Sequence, residues 1–336
     1  MADLQQPSTG TRGVSGGSGQ DNQSMGPSSL LKSGPAAAES SASYQHMSNG
    51  GGLPKLRGEE TAVPPEAINY KPTPEEVYKP VGNGAFVRLI FGDLPLTPYE
   101  LGEATKVKEA LKSEPNMFVD TVFSDDRYVV RFLQGNNWDV EKCIMDMRRH
   151  LAWRSTNLPV SVATVTPHLN KGFCYVFGRD KCLRPIFIIR CKEFINAEPG
   201  SVLPVVLFWM ETMIHKLLVK NRVEQWRVII DLDQCSAFST PVGILKEIAD
   251  TLTRNYRGRL SQMLIIKSSF VFWGMWQLIS VVLPERTRQK ICLYTSNFQN
   301  DLFSHVNKNQ VEERYGGTCP NVTEFDGISM PPGPFS

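Results

Sequence analysis

The 336-residue sequence lacks the features that announce most site chemistries. Its 36 basic and 34 acidic residues leave a formal charge of only +2, with no basic run, so a nucleic-acid partner is not expected. The five histidines (His46, His150, His168, His215 and His305) are scattered without metal-ligand spacing. Seven cysteines (Cys143, Cys174, Cys182, Cys191, Cys235, Cys292 and Cys319) make an odd number, and none stands two residues from another. They read as reduced, mostly buried thiols in a cytoplasmic protein rather than a disulfide, zinc or redox set. No Gly-Lys-Ser/Thr phosphate loop occurs, and Gly82-Asn83-Gly84 lacks the third glycine of a dinucleotide loop. Gly13-Val14-Ser15-Gly16-Gly17 spells a nucleophile elbow, but no strand precedes it. With no nucleophile–base pair and no metal set, neither an enzyme nor a cofactor is expected.

Targeting signals are equally scarce. No basic stretch followed by an apolar core opens the chain, and Ala2 stands where myristoylation needs glycine. Pro334-Phe335-Ser336 excludes a prenylation box. Asn22-Gln23-Ser24 and Asn321-Val322-Thr323 spell glycosylation sites with nothing to route the chain to them. Any meeting with a membrane is expected to be peripheral and transient, through the folded surface.

Composition divides the chain. Residues 1–60 are rich in Ser and Gly and contain no Phe, Ile, Trp or Cys, so they cannot bury enough apolar area to offset ordering entropy. They read as a disordered tail, a candidate docking segment for a protein partner. Residues 61–84, with Pro64, Pro65, Pro72, Pro74 and Pro80, read as an extended linker, and folded structure is expected from about Ala85.

A helical subdomain is expected over 85–156. Thr97-Pro98-Tyr99-Glu100 is a capping box with proline at the first helical position, followed by Leu101, Ala104, Val107 and Leu111 at helical spacing. Further helices are predicted after Ser124-Asp125 and from Asp139, the latter with Val140, Ile144, Met147 and Leu151 on one face and Trp153 closing it. Over 157–325 short apolar runs at 173–177, 186–190, 226–232, 263–266 and 290–294 alternate with helical segments at 202–219, 241–255 and 270–283. That alternation predicts an α/β domain with a mixed, largely parallel sheet after a hairpin through Gly178-Arg179-Asp180, and residues 326–336 are left as a tail.

The segment 268–284 has no charged residue. As a helix it would be about 25 Å long, short of a membrane span. A buried core helix is the plain reading, yet Phe270, Phe272, Trp273, Met275 and Trp276 crowd its first turns on more than one face, with Ile279 beyond. Such a helix can face core on one side and lipid on the other. Just after it, Lys290 opens a strand with Thr287 close by, a point charge and a hydroxyl suited to phosphate.

Several motifs then carry a resemblance. Arg131-Phe132-Leu133, Trp138-Asp139-Val140-Glu141-Lys142, Trp153-Arg154, Asp180-Lys181, Arg184-Pro185, Asp231-Leu232 and Tyr315-Gly316-Gly317 follow one another over residues 125–322. In that order they resemble the CRAL-TRIO family of lipid-binding proteins, in particular its phosphatidylinositol-transfer members. The resemblance implies a sheet with flanking helices enclosing an apolar lipid pocket, 270–283 as a gate, and Thr287 and Lys290 as headgroup residues. Tyr256-Arg257-Gly258-Arg259 stands where those members have Tyr-Pro-Glu-Arg, so the glutamate is lost while Arg259 is kept with the headgroup set. The positions that surround a choline headgroup are Val176, Phe187, Trp226, Val228 and Leu252, nearly devoid of hydroxyls or other polar groups, so phosphatidylcholine is not expected. The implied function is carriage or presentation of phosphatidylinositol, with a link to phosphoinositide signalling. A carrier of an unphosphorylated sterol-like or tocopherol-like molecule, and a scaffold switched by lipid, remain the alternatives.

Overall fold

The computed structural model describes residues 53–80, 86–92, 94–198, 200–235, 242–270, 272–281 and 283–336. Residues 1–52, which hold most of the expected tail, lie outside the described residues, as does Ala85. Folded structure begins well before residue 85. Leu56 and Ala62 are buried in the main core, and Lys216 Nζ donates to the Pro54 carbonyl and to Glu59, both at 2.6 Å. The prolines expected to extend a linker instead start short helices, because the fixed φ and missing N–H of proline suit a first helical position. Pro65 opens α1 (Pro65–Ile68) and Pro74 opens α2 (Pro74–Val77). Strand β1 (Tyr78–Pro80) then pairs antiparallel with β2 (Phe86–Arg88).

The helical lobe follows its capping chemistry. α3 (Pro98–Ala110) is entered through the reciprocal Thr97–Glu100 box. The same Glu100 carboxylate takes two hydrogen bonds from buried Arg88, each 2.7 Å, which ties β2 to the helix start. Asp125 caps α4 (Asp126–Gly135) and Asp139 caps α5 (Val140–Asn157), each accepting from a backbone N–H at 3.0 Å. Ala104, Val107 and Leu111 pack against Val130, Leu133 and Met147 in one core, while Leu101 faces solvent. α6 (Val162–Leu169) leads to the sheet.

In that sheet β3 (Cys174–Arg179) and β4 (Pro185–Arg190) form an antiparallel hairpin. The chain then runs through α7 (Val202–Thr212), which ends in a π turn at Met213–Leu217, to β5 (Trp226–Asp231) and α8 (Val242–Asn255). After β6 (Leu260–Ile266) come α9 (Phe272–Ser280), α10 (Glu285–Arg288), β7 (Ile291–Leu293) and α11 (Gln299–His305). The strand order is β3-β4-β5-β6-β7, parallel from β4 onward. β5 is buried along its whole length, as a parallel strand covered on both faces should be.

Residues 326–336 are packed rather than a loose tail. Ile328 and Phe335 are buried, Ser329 bridges Phe177, and Ile328 N donates to the Arg57 carbonyl at 2.8 Å. Gly58, at φ 78°, allows that approach, since any side chain there would collide with the Ile328 carbonyl. The described cysteines are all free; Cys143, Cys174 and Cys191 are buried and the other four only partly so.

Candidate functional site

Between the sheet and helices α8 and α9 lies a cavity of about 1,030 Å³, including the space at its mouth. Its floor is made by alternate residues of neighbouring strands: Phe187 and Ile189, then Trp226, Val228 and Ile230, then Met263 and Ile265. Alternation puts all of them on one face of the sheet. From α8 come Leu245, Ile248, Ala249 and Leu252, spaced to share one helical face. Of the choline positions, Phe187, Trp226, Val228 and Leu252 line the cavity, while Val176 is buried elsewhere in the core.

Helix α9 covers the cavity and is apolar on both sides. Phe272, 1% exposed, and Trp276 line the interior. Phe270, Trp273 and Val281 face outward, 87%, 48% and 71% exposed. Phe272 is therefore an inner-wall residue and Trp273 an outer one, since positions one apart on a helix point about 100° from each other. Met275 and Ile279 belong to α9, but their side chains lie outside the described residues.

The polar end is built by the turn from α10 into β7. Thr287 and Lys290 both line the cavity, and Lys290 Nζ donates to the Leu260 carbonyl at 2.6 Å. Burial, with added repulsion from Lys79 and Arg184, lowers the Lys290 ammonium to about 8. Arg184 reaches the neighbouring Ser261 hydroxyl at 2.7 Å and Glu76 of α2 at 3.1 Å, so the N-terminal segment abuts this end.

Arg259 is not part of it. Its guanidinium donates to the Glu224 carbonyl at 3.0 Å and meets the Tyr128 hydroxyl at 3.1 Å, in a separate cleft against the helical lobe. Leu260, the next residue, points into the cavity, so Arg259 must point away. Arg257 lines the cavity instead. Its signal in the sequence was an arginine in the place of the family's proline. Gly258 sits at φ 72°, where a side chain is strained and its Cβ would meet Arg131 Nη1 at 2.9 Å. Restoring a carboxylate by Gly258→Glu would therefore perturb the turn as well as the charge.

Among the described residues, no helix is long and apolar enough to cross a membrane. Among the described residues, the cavity combines apolar walls with the charged side chains of Arg257 and Lys290, the form of site that takes an amphiphile.

Residues 169–317 match the family model of the CRAL/TRIO domain. Among curated relatives, the CRAL-TRIO domain-containing protein C3H8.02 of Schizosaccharomyces pombe is 28% identical over 218 residues, 60% of this chain and 48% of its own length. Protein real-time of Drosophila pseudoobscura pseudoobscura is 24% identical over 295 residues, 79% of this chain and 42% of that protein. The chain thus spans less than half the length of these relatives. The crystal structure of Sfh5 superposes with a TM-score of 0.52 at 13% identity, covering 66% of this chain and 88% of that one, a likeness of fold. Residues 169–317 of this chain are thus similar to the CRAL/TRIO domain. The family binds and transfers lipids, and its members are typically carriers rather than enzymes.

Proposed function

We propose that this chain carries an anionic phospholipid, phosphatidylinositol or a relative of it, between membrane surfaces that it meets through α9. The observation that supports this reading most is the lining: among the described residues, Arg257 and Lys290 are the charged side chains at a cavity whose other walls are apolar save for the hydroxyls of Thr253, Tyr256 and Thr287. A two-chain lipid has about 30 methylenes at ~0.8 kcal/mol each, so passage through water would cost roughly 25 kcal/mol. Only a matched cavity under a closing helix offsets that. Bonds from charged groups contribute about 1.5–3 kcal/mol each, enough to choose a headgroup and too little to drive extraction.

Mass spectrometry of lipid co-purifying with the protein, followed by vesicle-to-vesicle transfer, tests the reading. Phosphatidylinositol should move efficiently and phosphatidylcholine poorly; efficient choline-lipid transfer at equal protein concentration would contradict it. A second reading, carriage of an unphosphorylated sterol-like molecule, draws support from Lys290, whose ammonium already has the Leu260 carbonyl as a partner. A sterol as the sole bound lipid would establish it.

A further inference from the structure

The guanidinium of Arg257 is held on several sides. Nε donates to the Arg254 carbonyl at 3.2 Å, Nη2 pairs with Asp146, and Cζ lies 4.7 Å from the centre of the Phe132 ring. Asp146 is shared with Arg149 at 3.5 Å, so one carboxylate serves two cations. Nη1 has no hydrogen-bond acceptor among the described residues. Gly135, the last residue of α4, makes room for the group: a Cβ there would run into Nη1 and lie 3.1 Å from Cδ. Arg257 is thus a pre-positioned donor among the residues that line the cavity, as Thr287 and Lys290 also do.

We propose that Arg257, rather than Arg259, completes the headgroup site, and that the site prefers a lipid whose head is a phosphate monoester, as in phosphatidic acid, over a phosphodiester. The inference rests on the anionic-phospholipid reading above. An inositol ring presents hydroxyls, and each hydroxyl held in a closed site needs an acceptor for its proton. Gly258 supplies none, and among the described residues no carboxylate lines the cavity, which leaves hydroxyls as its side-chain acceptors. Arginine and lysine only donate, so Arg257 and Lys290 favour a ligand that accepts at several atoms. A phosphate monoester does so, with a charge of about −1.5 to −2 at neutral pH if its second pKa is near 6, against −1 for a diester.

The test incubates the full chain with donor vesicles containing equal amounts of phosphatidic acid, phosphatidylinositol, phosphatidylcholine and a sterol, re-isolates the protein, and quantifies bound lipid by mass spectrometry. Phosphatidic acid should exceed phosphatidylinositol by about tenfold or more. Arg257→Gln should bring that ratio toward one, with total lipid per protein unchanged. Gly135→Ala keeps the charge but displaces the guanidinium, and should lower the ratio in the same direction. Arg259→Lys should leave it unaltered. Excess inorganic phosphate should not change the ratio; abolition of the preference by it would point to a free-phosphate site and overturn the assignment. Phosphatidylinositol bound as well as phosphatidic acid, or a ratio that Arg257→Gln leaves intact, would overturn this inference and leave the carrier reading standing. Protein that takes only the sterol would overturn both.

Discussion

The half-buried ammonium of Lys290 makes the stability of the fold depend on pH. Its ammonium is lowered from 10.5 to about 8, so between those values the unfolded chain binds more protons than the folded one. Stability of the lipid-free protein should therefore rise as pH climbs from about 8 toward 10.5, and the cost of the buried charge is present in full below 8. An anionic headgroup restores the protonated form, so its binding should weaken above about pH 8. Lys290→Met should remove the pH-dependent rise in the urea midpoint, stabilise the empty protein at neutral pH, and reduce transfer of anionic lipid. An empty Lys290→Met protein less stable than the parent at pH 7 would contradict this account. The residue pair Thr287 and Lys290 was legible before the structure because a family motif marks it. Arg259 was misplaced because its direction depends on the phase of alternation after the Gly258 turn, which spacing alone does not define.

At the scale of the element, α9 separates two roles by direction. Phe270→Asp with Trp273→Asp alters only the outer face, and should reduce vesicle binding and transfer while the melting temperature stays nearly constant. Phe272→Asp places a charge in the cavity wall and should destabilise the fold by about 2–5 kcal/mol. Equal effects of the two changes on stability would mean that the helix is ordinary core. Periodicity could not sort these residues, because a helix apolar all round offers no contrast from which to read a face. β4 and β5 were read to within one residue at each end, for the opposite reason: they are short runs of branched and aromatic side chains bounded by breaks, whereas β6 starts three residues before the expected 263. The capped helices were equally plain, since Thr97, Asp125 and Asp139 act through local hydrogen bonds written in adjacent residues.

Across the whole molecule, the two ends of the described chain clasp each other. Arg57 pairs with Glu324 at 3.0 Å and Asp326 at 3.1 Å, and its carbonyl receives Ile328 N. Averaged composition hid this, because a few packed residues follow a long polar stretch. Removing residues 1–52 should leave the melting temperature unchanged, whereas removing 1–60 strips Leu56 from the core and Glu59 from Lys216. The longer deletion should cost roughly 2 kcal/mol or more. Calorimetry of the two truncated proteins decides the matter, and equal melting would return residues 53–60 to the tail.

The outer face of α9 and its flanks offers Phe270, Trp273 and Val281 without a charge among them, while Arg257 and Lys290 line the cavity. On the proposed reading, ionic strength should act on the two steps unequally. Added salt should leave residence on a bilayer nearly untouched, with the lipid packing that admits an aromatic side chain governing where the protein lands. Which molecule it lifts out would then be decided away from bulk electrolyte, so a membrane's surface charge and the identity of the lipid removed from it should vary independently.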